Sequence, residues 1–261
     1  MAVAAAKQVV PVLGLPCWVN LMVGDLNAAR TFYSKVLGWK FGKSSLGDQF
    51  LVASAHGMPV AGIGERHPGV APASIWTPYF AVDDADTTAA RIQERGATVA
   101  VGPIALGDGR VGLAADRDGA TFGFWEGAAL TWSVGQGSAP ARIDLQTRDV
   151  FDASLFYGDV FGWDRAHGIA IAYRRDHVLV ERDGRTVLSL RGGGVQTSRD
   201  AGVRPRWLVN FAVDDIERAV AVALALGGSK HQPPSAPWAP EGFSRTLQDP
   251  DGGLFTLTRR A

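Results

Sequence analysis

The chain has 261 residues, of which 46% are apolar and 20% charged, a balance typical of a globular protein with a buried core. Its 26 basic residues equal its 26 acidic ones, so we expect no nucleic-acid partner, because such partners usually require a basic excess. A single cysteine, Cys17, excludes an intrachain disulfide, and the apolar stretch before it is too short for a membrane span or a good secretory leader. These features predict a cytoplasmic protein without a membrane partner.

The first predicted element is a strand over residues 18–23, in which side chains alternate between two faces. One face carries Val19, Leu21 and Val23, and the other carries Trp18, Asn20 and Met22. A helix follows, with Asp25 as its N-cap and Gly38 at the position of a C-terminal glycine. Its apolar face consists of Leu26, Ala29, Tyr33, Val36 and Leu37.

A second strand–helix unit completes the first half of the chain. Short strands over 49–54 and 58–64 precede a strand over 76–82, and Asp84 then caps a helix that stops at Gly96. Two β-rich segments, joined at an Asp-Gly turn, close the half. The order of strand, helix and further strands, written βαβββ and repeated, predicts an α+β fold.

The second half of the chain repeats the first. VNLMVGDLNAARTFYSKVLGW, starting at Val19, aligns with IDLQTRDVFDASLFYGDVFGW, starting at Ile143. FAVDD occurs in both halves, and DRDG at Asp116 corresponds to DPDG at Asp249. Such repetition indicates duplication of one unit. We predict two modules and a Gly/Ser/Ala/Pro-containing linker, with the bounds 1–127, 128–139 (linker) and 140–261.

These landmarks, in the same order in both halves, resemble the vicinal-oxygen-chelate superfamily of glyoxalase, bleomycin-resistance and extradiol-dioxygenase proteins. Within it, the chain is most similar to two-module actinobacterial proteins labelled hydroxylase or glyoxalase-like. The resemblance implies tandem modules, each built from two βαβββ units that form a cup-shaped sheet. Because single-module relatives commonly dimerise to complete their cups, it also implies a monomer with pseudo-dimeric halves.

The resemblance further implies where a metal would bind. Metal-dependent members carry His or Gln, His and Glu at matching positions of the cup strands. The equivalent positions here are Trp18, Thr77 and Gly123 in the first half and Arg142, Leu208 and Thr256 in the second. None of these is an ordinary His or carboxylate ligand, and the five histidines lie elsewhere. We therefore expect neither a metal nor another cofactor.

Strand alternation, fixed by those positions, predicts which other side chains face into the cups. The first cup is predominantly aromatic, which favours a pocket for an apolar ligand, although core packing explains any single tryptophan equally well. Trp238, in a proline-rich loop over 231–243, is a candidate lid residue. The predicted ligand-binding residues are Trp18, Asn20, Met22, Thr77, Tyr79, Trp125, Gln146, Asn210 and Trp238.

The second cup carries the only predicted catalytic pair. Arg142 and Asp144 are two residues apart on one strand and therefore share a face. The simpler interpretation is a mutual ion pair, because an unpaired buried charge is costly. In the alternative, Arg142 stabilises an oxyanion while Asp144 acts as a general base.

Four functions fit these residues. The leading hypothesis is metal-independent binding of a hydrophobic aromatic natural product, in resistance by sequestration or in biosynthetic tailoring, with the first half as the favoured site. The second is a cofactor-independent tailoring enzyme, a cyclase, isomerase, lyase or oxygenase acting on a polyketide-like substrate. The third is a metal-dependent glyoxalase or dioxygenase whose ligands lie at positions other than those named above. The fourth is a protein that binds only other proteins.

Overall fold

The computed structural model describes residues 8–9, 11–67, 74–130, 132–192, 204–231 and 244–260. Within these ranges the chain forms two eight-stranded mixed sheets and four helices, each sheet drawn from one half of the chain. The predicted α+β fold of tandem modules is therefore confirmed.

The first half begins with β1, Gln8–Val9. The two βαβββ units of its module follow in chain order as β2 Pro16–Val23, α1 Leu26–Leu37, β3 Lys40–Ser44, β4 Gly47–Ala55, β5 Met58–Glu65, β6 Trp76–Val82, α2 Ala85–Glu94, β7 Thr98–Leu106, β8 Gly109–Ala115 and β9 Thr121–Glu126. A short strand β10, Ala129–Leu130, then pairs antiparallel with β1.

The second half repeats this order. Its units are β11 Arg142–Gln146, α3 Val150–Phe161, β12 Ile169–Tyr173, β13 His177–Arg182, β14 Arg185–Arg191, β15 Arg206–Val213, α4 Ile216–Ala225, β16 Ser229–Lys230, β17 Ser244–Gln248 and β18 Leu254–Arg259. The strand orders correspond between the modules: β3-β4-β5-β2-β6-β9-β8-β7 in the first and β12-β13-β14-β11-β15-β18-β17-β16 in the second. Neither sheet is closed into a barrel.

All four helices begin at an aspartate. The carboxylate of Asp25 accepts hydrogen bonds from two backbone N–H groups of α1, and Asp84, Asp149 and Asp215 each accept one at the start of α2, α3 and α4. These bonds satisfy donors that the first helical turn leaves without an intrahelical acceptor. Gly38 ends α1 with φ 70°, a left-handed conformation that glycine adopts without a steric penalty. The caps predicted at Asp25, Asp84 and Gly38 are confirmed.

Each sheet has one face against helices and one face away from them. Val19, Leu21 and Val23 of β2 are buried against the helices. Trp18 and Asn20 of the same strand point to the opposite face, which we name the cup face, and are partly exposed. We refer to the cup face of the first module as the N cup and to that of the second as the C cup.

The modules share an aromatic core. The ring of Phe80 in β6 stacks on that of Phe161 in α3, with centroids 4.2 Å apart. Trp39, which follows α1, meets Phe211 of β15 edge-on at 5.0 Å. Because these pairs join different modules, the two halves are expected to unfold together.

Within the described residues, no helix combines the length and the apolar character that crossing a bilayer requires.

Candidate functional site

The N cup contains a cavity of about 330 Å³. Such a volume lies at the lower end of the range for small-molecule sites. Strands β2, β4, β6, β8 and β9 supply its walls, and the β3–β4 and β7–β8 turns form its rim. The lining residues are Cys17, Trp18, Asn20, Ser44, Ser45, Leu46, Phe50, Val52, Tyr79, Leu106, Gly107, Asp108, Val111, Trp125, Ala128 and Ala129.

Aromatic side chains of the N cup lie over glycines of neighbouring strands. A Cβ atom on Gly123 would lie 2.2 Å from Cδ1 of Tyr79, and one on Gly109 would lie 2.4 Å from Cζ2 of Trp125. Any larger residue at either glycine would push the ring off the strand. The glycines therefore hold Tyr79 and Trp125 close against the sheet.

Phe50 of β4 lies against a second glycine pair. Cβ atoms added to Gly62 and Gly64 of β5 would lie 2.4 and 2.8 Å from carbons of its ring. Phe50 pairs with Gly64 across the β4–β5 ladder, so both residues point to the same face of the sheet. Phe50 thus forms the wall of the cavity opposite Tyr79 and Trp125.

Hydrogen bonds within the protein hold the polar groups of this cavity in place. The indole N–H of Trp18 donates to Oδ1 of Asn20 at 2.7 Å, and that of Trp125 donates to the carbonyl of Ala128 at 3.0 Å. Burial raises the pKa of Tyr79, and a hydrogen bond with Asn20 partly offsets that rise. Tyr79 is therefore a neutral phenol at physiological pH, and Asn20 connects two of the aromatic walls.

Four of the six N-cup predictions lie on the cavity. Trp18, Asn20, Tyr79 and Trp125 line it. Met22 is 42% exposed beyond Phe50, and its sulfur lies beside Gly64. Thr77 is buried, its hydroxyl donating to the carbonyl of Ile75 at 3.4 Å. Neither Met22 nor Thr77 lines the cavity.

The predicted catalytic pair forms a bidentate ion pair in the C cup. Nε of Arg142 lies 2.7 Å from Oδ1 of Asp144, and Nη2 lies 2.9 Å from Oδ2. The side-chain amide of Asn210 donates to Oδ2 at 3.0 Å. Both oxygens of Asp144 therefore accept hydrogen bonds from cup residues, which favours the structural interpretation of the pair; a general-base role stays a prediction.

The remaining second-half predictions differ in their surroundings. Gln146 is partly exposed on the C cup and stands in register with Arg191 on one side and Arg206 on the other. Asn210 is buried and also donates to the carbonyl of Arg142 at 3.2 Å, so it positions Asp144. Trp238 lies outside the described residues.

In the described residues, neither cup carries metal ligands at the positions where metal-dependent relatives would hold them. The six positions that the resemblance assigned to metal ligands hold Trp18, Thr77, Gly123, Arg142, Leu208 and Thr256. Over the described part of the chain, no group of three or more His, Cys, Asp or Glu side chains is arranged to hold a metal. The chemistry of these side chains does not fit a metal centre, because tryptophan, glycine, leucine and arginine are not ordinary ligands.

Family models match both modules. Residues 17–124 match the model described as "Glyoxalase/Bleomycin resistance protein/Dioxygenase superfamily", and residues 141–258 match "Glyoxalase-like domain". A Mycobacterium tuberculosis protein named "Putative glyoxylase CFP32" is 30% identical over 95% of this chain and 95% of its own length. The chain belongs to the glyoxalase/bleomycin resistance protein/dioxygenase superfamily.

Other superfamily members extend the comparison. The "Anthracycline biosynthesis protein DnrV" of Streptomyces peucetius is 30% identical over 94% of this chain and 92% of its own. Among solved structures, the Mn(II)-bound glyoxalase from Novosphingobium aromaticivorans superposes with a TM-score of 0.56 at 16% identity, covering 96% of this chain and 83% of that one. At that identity the structural match supports the fold alone.

Several residues of the N cup and the C cup were not predicted from the sequence. Phe50 and Val52 alternate in a predicted strand, but their face depends on pairing with β5, which no local pattern specifies. Ser189, Arg191 and Arg206 of the C cup were missed for the same reason. The alternation of polar and apolar residues in SLR, at 189–191, was the available signal.

Proposed function

We propose that the N cup binds a planar, polycyclic aromatic small molecule without the help of a metal ion. The observation that carries this proposal is the cavity of about 330 Å³ with Trp18, Tyr79, Trp125 and Phe50 in its walls. Aromatic faces favour stacked or edge-on contacts with other rings, worth about 0.5–1.5 kcal/mol per pair beyond simple burial.

The relatives support a ligand of this class. DnrV and the Streptomyces sp. strain C5 protein DauV are both named for anthracycline biosynthesis. An anthracycline contains a planar, fused aromatic ring system that carries carbonyl and phenol oxygens. Such a ring system matches the aromatic walls, and its oxygens match the amide of Asn20 and the hydroxyl of Tyr79.

The side chains that replace the usual ligands support recognition without a metal ion. Without a cation to hold its oxygens, a ligand must be oriented by stacking and by a few hydrogen bonds. Trp18 and Asn20 already bond to each other, so the polar group is in place before a ligand arrives. Preorganisation of this kind reduces the entropic cost of binding.

Titration calorimetry with 1,4-dihydroxyanthraquinone tests the proposal. We expect saturable one-to-one binding to the full chain in the presence of EDTA. Myristate, which has the same number of carbon atoms but no ring, is expected to bind at least about tenfold more weakly, since a 1.4 kcal/mol stacking advantage is a factor of ten. Equal affinity for both compounds, or loss of binding in EDTA, contradicts the proposal.

Matched variants locate the site. Trp125→Leu removes a wall of the cavity and is expected to weaken binding about tenfold or more. Phe151→Ala removes an aromatic ring that is 62% exposed on α3 and should leave the affinity unchanged. The ligand should be recovered unaltered by mass spectrometry. Conversion to a product would show that the protein is an enzyme and would replace the binding role.

A further inference from the structure

Trp18 fixes the orientation of the Asn20 side chain in the N cup. The indole nitrogen of Trp18 lies 2.7 Å from Oδ1 of Asn20. An indole N–H donates and never accepts a hydrogen bond, so the amide atom that faces Trp18 is the oxygen. The NH2 group of Asn20 is therefore directed away from the indole and is available as a donor to another wall of the cavity.

The hydroxyl of Tyr79 accepts a hydrogen bond from this NH2 group. Trp18 of β2 is in register with Tyr79 of β6, so the two side chains share the cup face with Asn20. Burial raises the pKa of Tyr79, and its hydrogen bond with Asn20 acts against that rise. A hydrogen bond lowers the pKa of a phenol when it stabilises the phenolate, which requires the partner to be a donor. The amide of Asn20 is therefore the donor and the oxygen of Tyr79 the acceptor.

This series of hydrogen bonds leaves the proton of Tyr79 for a ligand. The series runs from the indole N–H of Trp18 to the amide of Asn20 and from that amide to the phenol, which is its last member. Across the described ranges, the Tyr79 hydroxyl has no protein acceptor for its own proton, and Tyr79 lines the cavity of about 330 Å³. Once a ligand displaces water from the cavity, an O–H group without an acceptor costs free energy, so the ligand must supply that acceptor.

The ring of Tyr79 has little freedom to move toward a ligand. A Cβ atom on Gly123 would lie 2.2 Å from Cδ1 of Tyr79, so the ring lies directly against β9. The indole N–H of Trp125, on the same strand, does not compete for a ligand oxygen, because it donates to the carbonyl of Ala128 at 3.0 Å. The phenol of Tyr79 is therefore a donor at a defined place in the aromatic wall.

We propose that Tyr79 selects ligands that carry a ring carbonyl, by donating its phenol proton to that carbonyl oxygen when the aromatic rings occupy the N cup. This inference rests on the proposed aromatic site and narrows its ligand to planar ring systems of the quinone or aryl-ketone class. A carbonyl suits the place because it accepts and has no proton of its own. Asn20 and Trp18 are positioning residues in this respect, since they set the direction in which Tyr79 donates.

Two soluble probes differ only in the predicted acceptor. Anthraquinone-2-sulfonate and anthracene-2-sulfonate are both planar three-ring sulfonates, and only the first carries ring carbonyls. Each is titrated into the full chain by calorimetry. We expect anthraquinone-2-sulfonate to bind at least about tenfold more tightly, because anthracene-2-sulfonate leaves the Tyr79 donor without a partner.

Tyr79→Phe separates the hydrogen bond from stacking, since quinone and anthracene rings also stack differently on aromatic side chains. This variant keeps the ring over Gly123 and removes only the hydroxyl. We expect it to weaken binding of anthraquinone-2-sulfonate about tenfold and to change that of anthracene-2-sulfonate by less than about twofold. Tyr173→Phe, at a half-exposed tyrosine of β12 outside the cavity, is the matched control and should change neither affinity.

Asn20→Asp tests the direction of donation. An ionised carboxylate only accepts hydrogen bonds, so it would take the proton of Tyr79 as well as that of Trp18. We expect this variant to lose the preference for anthraquinone-2-sulfonate although the phenol is still present. The infrared carbonyl stretch of the bound quinone is a second readout. It should lie at lower wavenumber in the wild-type complex than in the Tyr79→Phe and Asn20→Asp complexes.

The outcomes distinguish this inference from the aromatic site on which it rests. If both probes bind and the preference is the same in the wild type and in folded Tyr79→Phe, Tyr79 does not select the ligand, although the aromatic site stands. An unchanged preference in folded Asn20→Asp contradicts the proposed direction of donation. If neither probe binds, the aromatic site is absent and the inference fails with it. Urea midpoints establish that each variant folds, and if Tyr79→Phe does not, the two probes on the wild type and Asn20→Asp decide.

Discussion

The hydroxyl of Tyr33, in the first helix of the chain, donates a 2.7 Å hydrogen bond to Asp249, in the last turn of the other module. The reciprocal bond joins Tyr157 to Asp116 at 2.9 Å. Each aspartate also accepts backbone N–H groups of its own DxDG turn. Burial is the main cause of the raised pKa of both carboxyls. Two of the motifs that revealed the repeat therefore also join the halves through hydrogen bonds.

Removing one of these bonds is expected to destabilise the whole chain. Tyr33→Phe leaves Oδ2 of buried Asp249 without its tyrosine donor and the indole N–H of Trp76 without its acceptor. We expect a loss of about 1–3 kcal/mol in the free energy of unfolding, measured by urea denaturation. Tyr157→Phe should cost a similar amount, and Tyr173→Phe, at a half-exposed side chain, should cost little. Equal stability of Tyr33→Phe and Tyr173→Phe would contradict this account.

Alkaline pH is predicted to unfold the protein through its buried tyrosines. Burial, with the nearby aspartates, raises the pKa of Tyr33 and Tyr157 well above their ordinary value of 10.0. Above that value the unfolded chain loses protons that the native state keeps, so stability falls as pH rises. Tyrosinate absorbance and loss of native structure should appear together in a pH titration. Early ionisation of all four tyrosines in the folded protein would disagree with this prediction.

Cys17 is expected to be inert in the native state. It is 5% exposed, and burial raises its pKa to about 12. Because the thiolate is the reactive form, a disulfide reagent at neutral pH should label Cys17 only after unfolding. Stopped-flow labelling with and without urea measures this difference. Rapid labelling of the folded chain would show that the thiol is reached through the cavity it helps to line.

Glycines beneath the aromatic walls are predicted to be necessary for binding. A Cβ on Gly62 would lie 2.2 Å from Oδ1 of Asn20 and 2.4 Å from Cζ of Phe50, so Gly62→Ala must displace both side chains from their positions in the cavity wall. We expect about 1–3 kcal/mol of destabilisation and weaker binding of 1,4-dihydroxyanthraquinone. Gly158→Ala in α3 meets no atom within 4 Å and is expected to stabilise the chain with unchanged affinity. If both variants bind the ligand equally well, the glycines beneath the aromatic side chains do not shape the site.

The sequence predicted the repeat, the helix caps and the two faces of β2 because each depends on neighbouring residues or on period. Asp25 and Gly38 mark helix ends whatever surrounds them, and the alternation from Trp18 to Val23 specifies two faces on its own. Arg142 and Asp144 were expected to pair because two residues along a strand return to the same face. That expectation required no knowledge of the other strands.

The rest of the site depends on contacts between distant segments. The register of the antiparallel strands β4 and β5 sets which glycine lies under Phe50, and the register of the parallel strands β11 and β14 sets which arginine stands beside Gln146. Met22 and Thr77 share the face of Asn20, but the cavity ends before reaching them. Side-chain alternation gives the face of a residue and not its position along the cup.

A crystal structure with a bromine-labelled hydroxyanthraquinone, located by anomalous scattering, tests the central claim most directly. The account predicts bromine in the N cup, with the ligand rings against Trp18, Tyr79 or Trp125 and no ion between ligand and protein. A ligand seated in the C cup, or one whose oxygens are held by a protein-bound cation, would contradict it.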